Sequence, residues 1–261
     1  MTQTSEPFIR IDQVEKRYPA RRGEGTLALD ELTLSIDSGE FVSLLGPSGC
    51  GKSTLLSMVA GLTRPTRGDI AIGGRPIQAP YTELGMVFQS DLLLDWRTVI
   101  DNVLLQFEMR GIDPRGHREQ ARALIASVGL AGFEAKHPWE LSGGMRQRVA
   151  ICRALVHDPA LLLMDEPFGA LDALTREQIQ LDLQRIWQSR RKTVLFVTHS
   201  IAEAVFLSDR VVVMTPRPGR IHAVLDIALP RPRDLAVRES AQFSAYVREV
   251  GHIFQALGVL K

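Results

Sequence analysis

The stretch Gly46-Pro47-Ser48-Gly49-Cys50-Gly51-Lys52-Ser53-Thr54 matches the pattern G-x-x-x-x-G-K-[ST] at every specified position. Its context agrees with it. A strand-like run over residues 41–45 leads in, and a helix-like run over residues 54–60 leads out. Glycines let the backbone curl so that several N–H groups converge on one centre, and the helix start adds the positive end of its dipole. The nine residues therefore predict a phosphate-binding loop, with Lys52 reaching the β- and γ-phosphates and Ser53 ligating Mg²⁺. The competing reading is a glycine-rich turn before a helix; the strand and helix on its two sides argue against it.

Outward from this loop the chain reads as α/β. Residues 8–18 alternate apolar and polar and predict a half-exposed strand; residues 32–36 alternate again, and residues 19–25 between them predict a turn. Residues 69–72 and 84–88 predict two more short strands, so the opening resembles a small antiparallel sheet beside a parallel core. From Ser90 the texture turns helical. Residues 98–109 and 118–128 have helical spacing, and Pro114-Arg115-Gly116 and residues 129–132 separate the helical stretches. The apolar run 160–164 then predicts a central parallel strand, covered on both faces. An amphipathic helix over 174–189, strands over 193–197 and 210–214, an edge strand over 221–227 and an irregular connection over 229–233 follow. Phe243, Val247, Val250, Phe254 and Leu257 share one helical face, suited to packing on its own domain or to docking on a partner. The expected organisation is one domain over 1–261: a core of about 1–89 and 157–228, a helical subdomain of about 90–156, and a helical tail of about 229–261.

Bulk properties exclude several classes. Lys and Arg total 31 and Asp and Glu 30, a net charge of +1 over 261 residues, which argues against a nucleic-acid partner or a polybasic membrane anchor. The two cysteines, Cys50 and Cys152, lie in no metal-type or dithiol spacing and are expected to be free, in a reducing compartment. Residues 1–7 are polar, unlike a signal peptide, and no apolar run approaches the ~18 residues of a membrane span. The expected place is the cytoplasm, with membrane association only through a partner.

Two further stretches carry chemistry. Leu161-Leu162-Leu163-Met164-Asp165-Glu166 is an apolar strand ending in carboxylates, where Asp165 suits a second Mg²⁺ contact and Glu166 suits polarising a water for attack on a γ-phosphate. Leu141-Ser142-Gly143-Gly144-Met145-Arg146-Gln147-Arg148 places Ser142 as the N-cap of a helix whose glycine-rich start is again an anion site. A second phosphate-type helix start is redundant in one copy. The economical explanation is that Ser142, Gly143 and Gly144 serve the nucleotide of another copy; an ordinary capped helix is the alternative.

With these motifs, the chain resembles the nucleotide-binding subunit of ATP-binding-cassette transporters over about residues 8–221. Leu-Ser-Gly-Gly-x-x-Gln is that superfamily's signature. The resemblance implies a P-loop NTPase (RecA-like) α/β core with a small antiparallel β-subdomain and a helical insertion subdomain. It implies an ATPase acting with ATP and Mg²⁺. It further implies that Tyr18 stacks on adenine, that Gln89 contacts Mg²⁺ and the attacking water, that Asp172 of Ala170-Leu171-Asp172 lies near the partner's phosphates, and that His199 contacts the γ-phosphate. Gly169 stands where the family usually has Ser. Two copies would close head to tail around two ATP molecules and drive membrane permease subunits, which receive solute from a binding protein, at the cytoplasmic face of the membrane. Leu92, Leu93, Leu94 and Trp96 would line a groove for a short permease helix, or serve as core filler.

Three stretches resemble the importers of nitrate, alkanesulfonates and taurine: residues 87–96, residues 164–174, and Met214-Thr215-Pro216-Arg217-Pro218-Gly219-Arg220-Ile221. Asp95 departs from that group, which often has Pro there. An exporter subunit and a soluble switch of the same superfamily are the other readings.

Overall fold

The computed structural model describes residues 6–20 and 25–260. It divides into two compact units, one running to Thr82 and resuming at Arg191, the other spanning Glu83–Arg190.

The first unit holds two sheets. One is antiparallel, in the order β2-β1-β4-β5, from β1 (Ile9–Tyr18), β2 (Thr26–Ile36), β4 (Arg67–Ile72) and β5 (Arg75–Pro76). Ile9, Ile11 and Val14 of β1 and Leu32, Leu34 and Ile36 of β2 are buried while their neighbours face water, as half-buried strands require. β2 begins earlier than the alternation from Leu32 suggests, because residues 26–29 pair with residues 16–18 of β1 across a bulge at Glu31 (φ 48°). Of the predicted turn, residues 21–24 lie outside the described residues.

The other sheet of this unit is built on β3 (Phe41–Leu45), whose five residues are all buried. It pairs in parallel with β8 (Thr193–Thr198) and β9 (Arg210–Met214), and β10 (Ile221–Asp226) closes the edge antiparallel to β9. Leu45 pairs with Thr198, so the residues that follow each strand leave from the same carboxyl edge. α1 (Lys52–Val59) follows β3, and α6 (Ile201–Leu207) follows β8. The open carboxyl edge of a parallel sheet is where this architecture binds ligands.

Residues 229–233 form a tether. Arg233 is 3 % exposed and donates to the carbonyls of Val205, Phe206, Ser208, Ile227 and Leu229 at 2.8–3.2 Å. It thereby satisfies last-turn carbonyls of α6 that helix geometry leaves without partners. Burial, with Arg231 nearby, pushes its pKa down to about 10. α7 (Ala241–Ala256) then packs on α6, burying Phe243, Val250 and Phe254, so its apolar face serves its own unit.

In the second unit β6 (Leu84–Val87) and β7 (Leu161–Asp165) pair in parallel, with Val87 opposite Met164. Four helices accompany them: α2 (Val99–Glu108), α3 (Arg118–Ser127), α4 (Gly143–Leu155) and α5 (Ala173–Arg190). Gly85 allows β6 to approach α4, since a Cβ there would lie 2.1 Å from the Ala154 carbonyl oxygen. Residues Pro114–His117 lie between α2 and α3 as expected, and form a 3-10 turn, capped by Asp113, that runs straight into α3. α5 is not a simple amphipathic helix: its buried residues include Gln180, Asp182 and Gln184 beside Ile179, Leu183 and Trp187. Asp182 is sustained there by Arg148 and Arg185.

Candidate functional site

The phosphate loop is shaped by its glycines. Gly49 (φ 76°) and Gly51 (φ 103°) occupy left-handed conformations, and Gly51 stands at the N-cap of α1 without a side chain over the helix start. Lys52 is 5 % exposed, and its Nζ donates to the carbonyls of Gly46 (2.7 Å) and Pro47 (3.1 Å). The ammonium is thus held over the loop by the loop's own backbone. Cys50 is buried beside it, its Sγ 3.9 Å from Lys52 Nζ, and burial raises the thiol pKa against the opposing pull of that cation. Both cysteines are free thiols.

Two other candidates belong to this unit. The Tyr18 ring is 41 % exposed, with Lys16 Nζ 5.1 Å from its centroid, and its hydroxyl hydrogen-bonds Oγ1 of Thr54 at 3.4 Å. An aromatic face is thereby tied to the first turn of the helix that follows the phosphate loop. His199 leaves β8 one step past Thr198, at the same edge as Gly46 past Leu45. Its neighbours are fixed: Thr198 Oγ1 donates to Glu203 and accepts from Ser200 N–H, and Ser200 caps α6.

The second unit carries the remaining candidates. Because Val87 and Met164 are in register, Gln89 and the pair Asp165 and Glu166 emerge at one edge. Glu166 has φ 45°, a left-handed conformation that costs a non-glycine residue about 1 kcal/mol or more. The turn it begins is closed by Gly169 N–H on the Glu166 carbonyl at 3.1 Å. Gln89 Nε2 lies 3.2 Å from the Cβ that Gly169 lacks, so the smallest residue in this turn admits the glutamine. Asp172 caps α5 by accepting from Thr175 N–H at 3.0 Å, which holds its carboxyl below the usual carboxylate range.

Ser142 is the N-cap of α4, accepting from Met145 N–H at 3.3 Å. A Cβ on Gly144 would fall 2.2 Å from Cγ2 of Thr175, so α4 and α5 meet at the glycine itself. Sequence reasoning assigned no role to the next residues of α4. Gln147 donates to the Phe88 carbonyl (3.2 Å), Arg146 pairs with Asp91 (2.9 Å), and Arg153 donates to the carbonyls of Asp91 and Leu92 (2.7 Å each). Together they grip the chain on both sides of Gln89. The signal for two of them was their place inside the signature; Arg153 had none. Leu92 and Trp96 are 53 % and 75 % exposed and are therefore not core filler.

The candidate set is thus divided. The phosphate loop, Tyr18 and His199 belong to the first unit; Gln89, Ser142, Gly143, Gly144, Asp165, Glu166 and Asp172 belong to the second.

A family model described as ABC transporter matches residues 29–169. The uncharacterized ABC transporter ATP-binding protein MJ0412 of Methanocaldococcus jannaschii is 49 % identical over 95 % of this chain and 91 % of its own length. The taurine import ATP-binding protein TauB of Rhizobium johnstonii is 48 % identical over 86 % of each chain. Among solved structures, the dimeric post-hydrolysis state of the ATP-binding cassette MJ0796, bound to ADP and Pi, is 32 % identical with a TM-score of 0.74, covering 85 % of this chain and 100 % of that one. A P-loop ATPase fold, a signature helix and relatives nearly half identical across most of both chains agree, and this chain belongs to the ABC transporter family as an ATP-binding subunit.

Proposed function

We propose that this chain is the ATP-hydrolysing subunit of an importer for taurine-like sulfonates and related small solutes, working as a head-to-tail pair of copies beneath membrane permease subunits. The taurine import proteins of Rhizobium johnstonii and Burkholderia pseudomallei, 48 % and 49 % identical, support the substrate class. The dimeric cassette holding ADP and Pi supports the pair. The observation that carries the reading is the presence of two anion-type helix starts in one chain, at Gly51 and at Ser142.

Each site would take Gly46 to Thr54, Tyr18, Gln89, Asp165, Glu166 and His199 from one copy, and Ser142, Gly143, Gly144 and Asp172 from the other. ATP is the substrate. Lys52 exchanges the carbonyls of Gly46 and Pro47 for the β- and γ-phosphates, a trade of neutral acceptors for charged ones. Tyr18 offers its ring to adenine. Glu166 takes the proton of the attacking water, Gln89 orients that water, and His199 contacts the γ-phosphate. The hydroxyl of Ser53, the carboxylate of Asp165 and the amide oxygen of Gln89 are the hard oxygen donors that suit Mg²⁺, which supplies charge neutralisation to the phosphates when bound.

Loss of the γ-phosphate removes what holds the two copies together, and the pair reopens. Gln89, gripped by α4 through Phe88 and Asp91, is where that change would enter the helical region. The exposed Leu92 and Trp96 suit an apolar contact with a short permease helix. No helix among the described residues is long and apolar enough to cross a membrane. The permease would therefore hold this subunit at the cytoplasmic face, and a solute-binding protein would choose the cargo.

Glu166→Gln tests the reading. ATP turnover falls at least a hundredfold while ATP drives the variant into a stable dimer, seen by size-exclusion with light scattering. Unchanged turnover, or a variant that stays monomeric with ATP, overturns it. Uptake of taurine, other sulfonates and nitrate in cells lacking this gene then assigns the solute.

A further inference from the structure

The connection between β9 and β10, residues 215–220, entered above only as a mark of the importer group and supplies no residue to the proposed site, yet it lies against the phosphate loop. Gly219 exchanges backbone hydrogen bonds with β2, its N–H to the Ala28 carbonyl (2.9 Å) and its carbonyl from Asp30 N–H (3.1 Å). Arg220 pairs with the Asp30 carboxylate, its Nε at 3.0 Å. Thr215 Oγ1 donates to the Pro218 carbonyl and accepts from Arg220 N–H, both at 3.0 Å, which closes the turn on itself. A Cβ on Gly219 would sit 2.0 Å from the carbonyl oxygen of Cys50, so backbone meets backbone there. The turn is a braced support pressed on the loop.

From this support Arg217 reaches the loop. Its Nε and Nη2 lie 3.2 and 3.1 Å from the carbonyl oxygen of Gly49, and both donate to that one atom. Among the described residues no carboxylate forms an ion pair with Arg217, so its charge stands uncompensated beside the phosphate loop.

We infer that Arg217 is a positioning residue for the nucleotide phosphates, acting through the Gly49–Cys50 peptide. This rests on the proposed function. A trans peptide points its C=O and its N–H in opposite directions. With the Gly49 oxygen held by the guanidinium, the Cys50 N–H faces away from Arg217, and it contacts the loop's own Pro47 carbonyl at 3.3 Å. Gly49 at φ 76° has the freedom to rotate this peptide, and rotation would turn a carbonyl oxygen toward the phosphates. Two charge-assisted hydrogen bonds oppose that rotation, and they polarise the peptide so that its N–H is the better donor. The guanidinium also adds positive potential where the phosphates lie. The triphosphate and the diphosphate profit alike, so the effect belongs to binding rather than to the chemical step.

The test compares wild type, Arg217→Met, Arg217→Lys and Lys52→Ala in calorimetric titrations with ADP and ATP, with steady-state ATPase kinetics and melting temperatures. Arg217→Met raises Kd for ADP and ATP together by about five- to tenfold, the scale of one ordinary hydrogen bond, because Arg217 acts through a peptide rather than on the phosphates directly. KM follows Kd, kcat changes far less, and the melting temperature moves by no more than a few degrees. Arg217→Lys recovers part of the affinity, because it keeps the charge and one donor. An Arg217→Met protein that binds both nucleotides like wild type overturns the inference while leaving the proposed function intact. A Lys variant no better than Met, with both melting early, overturns it in favour of a purely structural brace. A wild-type protein that binds neither nucleotide overturns the proposed function itself.

Discussion

The hydroxyl of Thr198 donates to Oε2 of Glu203 at 2.7 Å, and both residues are buried. The same hydroxyl accepts from Ser200 N–H at 3.0 Å, and Ser200 Oγ accepts from Glu203 N–H at 3.4 Å. His199 sits between two residues of this closed set. For the proposed contact of His199 with one phosphate oxygen, a backbone that cannot drift is an advantage, because small misplacements are costly at a reacting centre.

Thr198→Val keeps the shape and removes the hydroxyl. It takes one donor from the buried Glu203 carboxylate and the Thr198 acceptor from Ser200 N–H, a loss of about 2–3 kcal/mol. Urea denaturation reads that loss. ATP turnover falls about tenfold at saturating ATP, with KM changing less, because the effect reaches His199 rather than the nucleotide grip. Turnover equal to wild type would show that His199 needs no such support.

Gly144→Ala places a methyl group 2.2 Å from Cγ2 of Thr175. Thr175 is β-branched and stands in the first turn of α5, so it yields poorly; the cost is about 1–3 kcal/mol. Thr175→Ser removes that methyl, and the next contacts, 3.5 and 3.7 Å away, are ordinary. The double variant recovers stability in urea melts. ATPase activity stays low in it, because the proposed partner nucleotide approaches the bare glycine backbone. A double variant as unstable as the single one would remove Thr175 as the cause.

Cys152 is wholly buried in α4, and burial pushes its pKa from the ordinary 9.0 to about 12. The folded state keeps the thiol proton where the unfolded chain has lost it. The stability this represents is complete below pH 9 and is lost as pH rises from 9 toward 12, up to roughly 4 kcal/mol. Cys50, also raised, adds in the same direction. Arg233, depressed to about 10, works in the opposite sense, and only above that pH. Urea midpoints measured between pH 8 and 10.5 therefore fall, and Cys152→Ala falls less steeply. Parallel slopes for the two proteins would contradict this assignment.

Much of the candidate site is legible in short windows of sequence. The phosphate loop, the strand ending at Asp165 and the capped helix at Ser142 are contiguous patterns, and each is found with its expected flanking elements. Arg217 and Gly49 are 168 positions apart, and Gln147 and Phe88 are 59 apart. No period or local propensity links such pairs. The same holds for Arg233, whose side chain reads as a charged residue in a proline-rich connection until its five carbonyl partners are seen.

From the sequence alone come the phosphate loop, the signature helix start, the family they imply and the alternation of strands and helices, because backbone conformation and apolar periodicity are local properties. Only the tertiary structure decided which side chains restrain those motifs. It is strand register that sets His199 level with Gly46, and Gln89 level with Asp165 and Glu166. It is a turn far along the chain that places Arg217 on Gly49, and the meeting of two helices that makes Gly144 a matter of packing as well as of the proposed anion binding. These relations arise when distant segments share one hydrogen-bond ladder or one van der Waals contact, and such contacts come into being only on folding.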